Sequence, residues 1–155
     1  MNALCWLCIT VEKTMNIVRL DRTTAPLLSN LAPNVFDYAI NPMSLAAFID
    51  DAKHVMYLAE EAGVVVGMAS GVEYFHPDKP PQLWINEVGV AETHRRRRIG
   101  HALISALVGE AKNRGCQYMW VGTTKDNIAA QACFRSVAAT GEPQEFLLYE
   151  WDFVE

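Results

Sequence analysis

"INEVGVAETHRRRRIGHALI", residues 85–104, decides how this chain is read. Its first half has the β-branched, apolar composition of a strand. Its second half begins a run with apolar residues at 99, 103, 104, 107 and 108, close to the helical period. Between them stand four consecutive arginines in a chain whose net charge is −5. A run of like charge is ordinarily a solvated face. Placed between a strand and a helix it has a second reading, because the first N–H groups of a helix lack partners and carry about half a positive charge. Gly100, without a Cβ, would let a phosphate approach the backbone closely. The G-x-G-x-x-G and G-x-x-x-x-G-K-S/T patterns are absent, so a diphosphate other than that of a nicotinamide dinucleotide or nucleoside triphosphate is sought.

The 155 residues suit one domain, and 51% are apolar, enough for a real core. Charges interrupt every long apolar stretch, which argues against a membrane span. An acidic balance argues against general nucleic-acid binding and favours a cationic partner. Cys5 and Cys8 form a lone C-x-x-C with no second pair at ligand spacing, while Cys116 and Cys133 read as small hydrophobes in a reducing compartment. Residues 1–14 lack a basic n-region and read as an extension, mobile or used in oligomer contacts, ahead of a single domain over 15–155. The cytoplasm is the expected compartment. His54, His76, His94 and His101 show no metal-ligand spacing, so no metal is expected.

The remaining chain supplies the element order. Met15 to Leu20 reads as a strand, Thr24 to Leu31 as a helix, and Ser44 as the N-cap of a helix over "LAAFIDDA". "HVMYLAEE" and "VVVGMASGVEYF" form a hairpin about Ala62 and Gly63. "HPDKPPQ" reads as a loop, since its prolines cannot continue a central strand. "LWINEVGV" is the fourth strand, followed by the helix that Gly115 ends. "CQYMWVGTT" is the fifth, a helix capped by Asn127 follows, and "EFLLYEWDF" closes as a strand. The order β-α-α-β-β-β-α-β-α-β describes a mixed α/β sheet with helices packed on it.

Arg95, Arg96, Arg97, Arg98, Ile99 and Gly100 resemble the Q/R-x-x-G-x-G/A loop of the GNAT superfamily of N-acetyltransferases, and Asn127 and Ala130 its following N-x-x-A helix. The resemblance implies a central mixed, mostly antiparallel sheet of six to seven strands, splayed in a V between strands 4 and 5 and flanked by about four helices. It also implies acetyl-CoA as cofactor, its pyrophosphate on the loop amides through His101 and Ala102, and its pantetheine arm beside Asn127, Ala130 and Phe134. Val88 and Val90 would contact the thioester arm through their backbones, with Gly89 marking a strand irregularity. Glu87 is the candidate base, its other reading being a salt-bridged strand-edge carboxylate. Two departures stand out. Arg98 replaces the first motif glycine and is expected to keep an α-region backbone. Phe134 replaces the tyrosine that usually protonates the thiolate, and phenylalanine cannot donate.

Within the superfamily, Glu87, "HRRRRIGHALI" and "YEWDF" resemble the type I aminoglycoside 3-N-acetyltransferases. That likeness implies a cationic aminoglycoside acceptor held by Tyr74, Glu87, Glu150 and Asp152. Acidic residues at 142, 145, 150, 152 and 155 would attract such a polycation, though each serves equally to solubilise an edge strand. A polyamine, amino acid or peptide amine is the alternative acceptor, and a non-catalytic acyl-CoA-binding module the alternative class. Superfamily members are often homodimers.

Overall fold

The computed structural model describes residues 14–137 and 141–153. The extension proposed for residues 1–14, apart from Thr14, and the Cys5/Cys8 pair lie outside the described residues. Five strands form one sheet in the order β1-β2-β3-β4-β5: Met15–Arg19, His54–Glu61, Val64–His76, Lys79–Val90 and Tyr118–Val121. The first four pair antiparallel, and β5 joins β4 in parallel. The helices are α1 (Pro42–Asp50), α2 (Ile99–Asn113) and α3 (Ile128–Ser136), with short 3-10 turns at Ala25–Ser29 and Glu92–His94. None of the described helices is long and apolar enough to cross a membrane.

Helix α2 covers one face of the sheet, as its apolar stripe requires. Ile99, Leu103, Ile104 and Leu107 are buried along it, each side chain contributing about 1.5–3 kcal/mol of burial. Gly67 in β3 sets the approach: a Cβ there would stand 3.1 Å from Ile99 Cγ2 and 3.3 Å from Leu103 Cδ1. Helix α1 packs on β2 from the opposite side, with Phe48 against His54. Between β2 and β3, Ala62 and Gly63 both take positive φ, 52° and 80°, which is the two-residue type I′ turn a tight hairpin favours.

Several elements differ from expectation, each for a local reason. The closing strand does not form: residues 141–153 are irregular, and Phe146, Leu147, Leu148, Tyr149, Trp151 and Phe153 are exposed. Four consecutive apolar residues there break the alternation that lets a strand bury one face. The described sheet therefore has five strands where six to seven were expected, with three α-helices in place of about four. The helix expected over 24–31 is only a 3-10 turn, too short to repay α-helix nucleation. Asn41, rather than Ser44, caps α1, accepting from Met43 N at 2.8 Å and Ser44 N at 3.2 Å. Pro42 occupies the first helical turn, where no N–H is needed, and so places the cap before it. Strand β4 also runs through Pro80 and Pro81, because β5 starts to pair only at Gln82.

Strand β4 carries the irregularity that matters most. Gly71 pairs with Ile85 and Ser70 with Glu87, so Asn86 is an extra, bulged residue. Leu83 and Ile85 face α2, whereas Glu87, directly opposite Ser70, faces the α1 side. Beyond Ile85 the two parallel strands separate: β4 continues to Val90 while its pairing with β5 has ended at Val121. This is the V-shaped splay the resemblance implied.

Candidate active site

Two sets of groups flank the splay. On the α2 side, Val90 leads through the Glu92–His94 turn into the arginine loop. Arg96 and Arg98 have φ of 61° and 62°, the left-handed region that costs an L-residue about 1–2 kcal/mol. Arg98 thus departs from the expected α-region backbone. The motif position demands a left-handed residue whatever side chain fills it. Between and after these residues, the N–H groups of Arg96, Arg97, Arg98, Ile99, Gly100 and His101 donate to no acceptor among the described residues. Alternating left-handed residues running into a helix N-terminus make an anion-binding concavity.

The arginine side chains separate in role. Arg97 stays exposed but reaches to the hairpin, donating to Glu61 at 2.6 and 3.1 Å. Arg95 Nε approaches Val90 O at 3.3 Å, and Arg98 Nη2 lies 3.2 Å from His101 Nε2. Arg96 makes no ion pair among the described residues. His101 Nδ1 is 3.0 Å from Ser136 Oγ, tying α2 to α3. Asn127 caps α3 as expected, accepting from Ala130 N at 3.1 Å. Gly100 has a packing role as well: a Cβ there would sit 2.9 Å from Cys133 Sγ. Cys133 is half-buried, and burial raises its thiol above the usual range. Phe134 is also half-buried and packs against the core.

Along the splayed stretch, Val88 and Val90 pair with Ala69 and Gly67 of β3, while their β5 side has no strand partner among the described residues. Gly89 is regularly paired with Met68 and is not the bulge; Asn86 is. The lack of a Cβ at Gly89 has a different cause, since one there would run into the Val35 carbonyl. The segment 33–41 therefore lies directly against β4.

That segment and α1 line an open cavity of about 400 Å³ on the Glu87 side of the sheet. Leu20, Leu28, Phe36, Leu45, Phe48 and Met56 supply its apolar wall, and Asp37 and Glu87 its two carboxylates. Burial first, and the Asp37 charge second, raise the Glu87 carboxyl above the ordinary carboxylate range. Among the described residues, no lysine, arginine or histidine lines the cavity. Tyr74 shares the sheet face of Glu87 but stands farther along it, its hydroxyl donating to Gln82 at 2.5 Å and accepting from Trp120 at 2.9 Å. Trp84 stacks on Trp120 there at 5.7 Å. Glu150 and Asp152 lie in the irregular 141–153 segment and do not line the cavity. Asp37 escaped sequence reading because "NVFDYAIN" has no period, and its place depends on the contact with Gly89. No group of three or more potential metal ligands occurs among the described residues.

A family model described as the acetyltransferase (GNAT) family matches residues 21–138. The chain belongs to the GNAT acetyltransferases. Members of this family use acetyl-CoA, and the unpartnered loop amides and open β4 edge of this chain fit such a cofactor. Among curated relatives, the L-2,4-diaminobutyric acid acetyltransferase of Virgibacillus pantothenticus is 31% identical over 81 residues, 52% of this chain and 50% of that protein. That of Streptomyces coelicolor is 35% identical over 77 residues, 49% of this chain and 44% of that protein. The chain thus spans about half the length of the curated relatives it matches. Among solved structures, the aminoglycoside acetyltransferase meta-AAC0020 from an uncultured soil metagenomic sample, in complex with trehalose, superposes with a TM-score of 0.76 at 20% identity, covering 88% of this chain and 95% of that one. AAC(6')-Iy, in complex with a CoA-containing bisubstrate analogue, gives 0.70 at 18% identity, covering 90% and 99%. At such identities these likenesses show a shared GNAT fold.

Proposed function

We propose that this GNAT protein transfers the acetyl group of acetyl-CoA to a primary amine of a polycationic, aminoglycoside-like acceptor. The cavity carries this reading: two carboxylates, no cation among the described residues, and a volume of about 400 Å³ in the range of drug-sized ligands. An amino acid such as diaminobutyrate presents a carboxylate that would meet Asp37 and Glu87 with no cationic partner among the lining residues. The diaminobutyrate relatives nevertheless make that amino acid the second reading. The 3-amino position, Tyr74 as an acceptor contact, and Glu150 and Asp152 as attracting charges rest on the sequence resemblance alone.

In this reading the amides of residues 96–101 receive the cofactor diphosphate, with the guanidinium groups of Arg95 and Arg96 around it and that of Arg98 against His101. The open backbone edge of Val88 to Val90 and the Asn127-capped end of α3 flank its pantetheine arm. Bound acetyl-CoA supplies an activated thioester. Glu87 takes the proton of the acceptor ammonium, directly or through water, and its raised pKa suits a base working nearer neutrality than an ordinary carboxylate. Asp37 holds a second ammonium beside it. Phe134 offers no proton, so departure relies on the low basicity of a thiolate, whose conjugate acid has a pKa of about 8.5.

A CoA-release assay across gentamicin-type aminoglycosides, diaminobutyrate, linear polyamines and an N-terminal peptide tests this. Turnover is expected with the aminoglycosides, and NMR of the product identifies the acetylated nitrogen. Turnover with diaminobutyrate alone would reverse the assignment. Acetyl-CoA binding without acetylation of any amine would support the non-catalytic alternative.

A further inference from the structure

Glu61 closes β2 beside the type I′ turn and is 3% exposed, one of two buried polar or charged residues among those described. Its carboxylate accepts both hydrogen bonds from Arg97, and His94 Nε2 stands 3.1 Å from it. The other His94 ring nitrogen is 2.8 Å from Thr93 Oγ1. Glu61 therefore reaches across from the hairpin and grips the arginine loop on both sides of Arg95 and Arg96. Arg97, the residue it holds most firmly, lies between the two left-handed arginines. A backbone that disfavoured persists only where its surroundings over-determine it.

We infer that Glu61 is a positioning residue for the cofactor loop: acting through Arg97 and His94, it keeps the amides of residues 96–101 turned toward one anion. The third arginine of the run is then a brace whose charge is answered by Glu61, while the backbone around it serves the ligand. This inference rests on the acetyl-CoA reading of the loop.

Calorimetric acetyl-CoA affinity, thermal melting and steady-state kinetics of Glu61→Gln test it. The variant is expected to weaken acetyl-CoA binding and raise its KM by about tenfold, with kcat within about twofold, since binding geometry and not the chemical step is disturbed. Arg97→Gln should also weaken binding, and the double variant should lose less than the sum of the two singles, because both remove the Glu61–Arg97 contact. Adding Arg98→Gly to Glu61→Gln should restore affinity to within about threefold of the original chain, glycine holding the left-handed turn without the brace. A purely structural loss elsewhere, or a lost phosphate contact, would not be rescued by removing another positive charge. Unchanged affinity in Glu61→Gln, or a fall in kcat at constant affinity, would overturn the inference. If that variant does not fold, Arg97→Lys carries the test: it keeps the charge, loses the forked geometry, and should weaken binding by about threefold, whereas unchanged binding would overturn the inference. Failure of the unmodified chain to bind acetyl-CoA would instead overturn the cofactor reading.

Discussion

Replacing Arg98 by glycine should stabilise the protein although it removes a side chain. Arg98 is the N-cap of α2, with φ 62° and ψ 17°, and has no capping hydrogen bond from its side chain. A left-handed L-residue costs about 1–2 kcal/mol, which glycine avoids. Against this, glycine gives the unfolded chain extra freedom worth about 0.5–1 kcal/mol. The exposed approach of Arg98 to His101 is weak and adds only a few tenths of a kcal/mol to the loss. The balance is a gain of about 0.2–0.7 kcal/mol, or a melting temperature higher by about 0.5–3 °C for a chain of this size. Arg98→Ala is the control, since it removes the guanidinium but keeps the Cβ in the left-handed region. Thermal unfolding followed by circular dichroism should rank glycine above arginine, and alanine at or below it. If Arg98→Gly melts no higher than Arg98→Ala, the backbone at this position is not strained and the account of the loop fails.

Glu87→Gln should lower kcat by about 10²–10⁴-fold, the usual contribution of a general base. The same variant has a pH signature in stability: because the folded pKa is raised, protonated Glu87 favours the fold below the ordinary carboxylate range, and that contribution is lost as pH rises through the raised value. Melts at about pH 4 and pH 7 should therefore show Glu87→Gln gaining on the original chain at the higher pH; an equal difference at both would contradict the burial of the carboxyl. Asp37→Asn removes the second cause of the raised pKa, so the acid limb of kcat/KM should move to lower pH, and a stationary limb would separate Asp37 from the site. Gly89→Ala would drive a methyl into the Val35 carbonyl, an overpacking cost of about 1–3 kcal/mol, and should raise the acceptor KM by displacing the segment that carries Asp37. A change confined to the acetyl-CoA KM would assign Gly89 to the thioester arm instead.

The arginine loop and the helices around it were largely legible because their signals are local. A strand pattern, an arginine run and a helical stripe lie within twenty residues, and Asn127 announces α3 by the ordinary chemistry of a cap. Glu87 could be chosen as a carboxylate beside the motif. Its direction could not: by simple alternation with Leu83 and Ile85 it would face α2, and the bulge at Asn86 turns it to the other side. Nothing in Asn86 itself marks a bulge, and Gly89, which has the composition of one, is a packing glycine.

Thus the order of elements, the strand-to-helix junction and its helix caps were set by residues adjacent along the chain, where propensity and periodicity act. The partner of Arg97, the carboxylate beside Glu87 and the face on which the cavity opens were decided only when distant segments met. Glu61 and Arg97 are separated by 36 positions, and Asp37 reaches β4 through the contact of Val35 with Gly89. Such contacts depend on the register of paired strands and on how closely loops pack, quantities that a one-dimensional pattern does not carry.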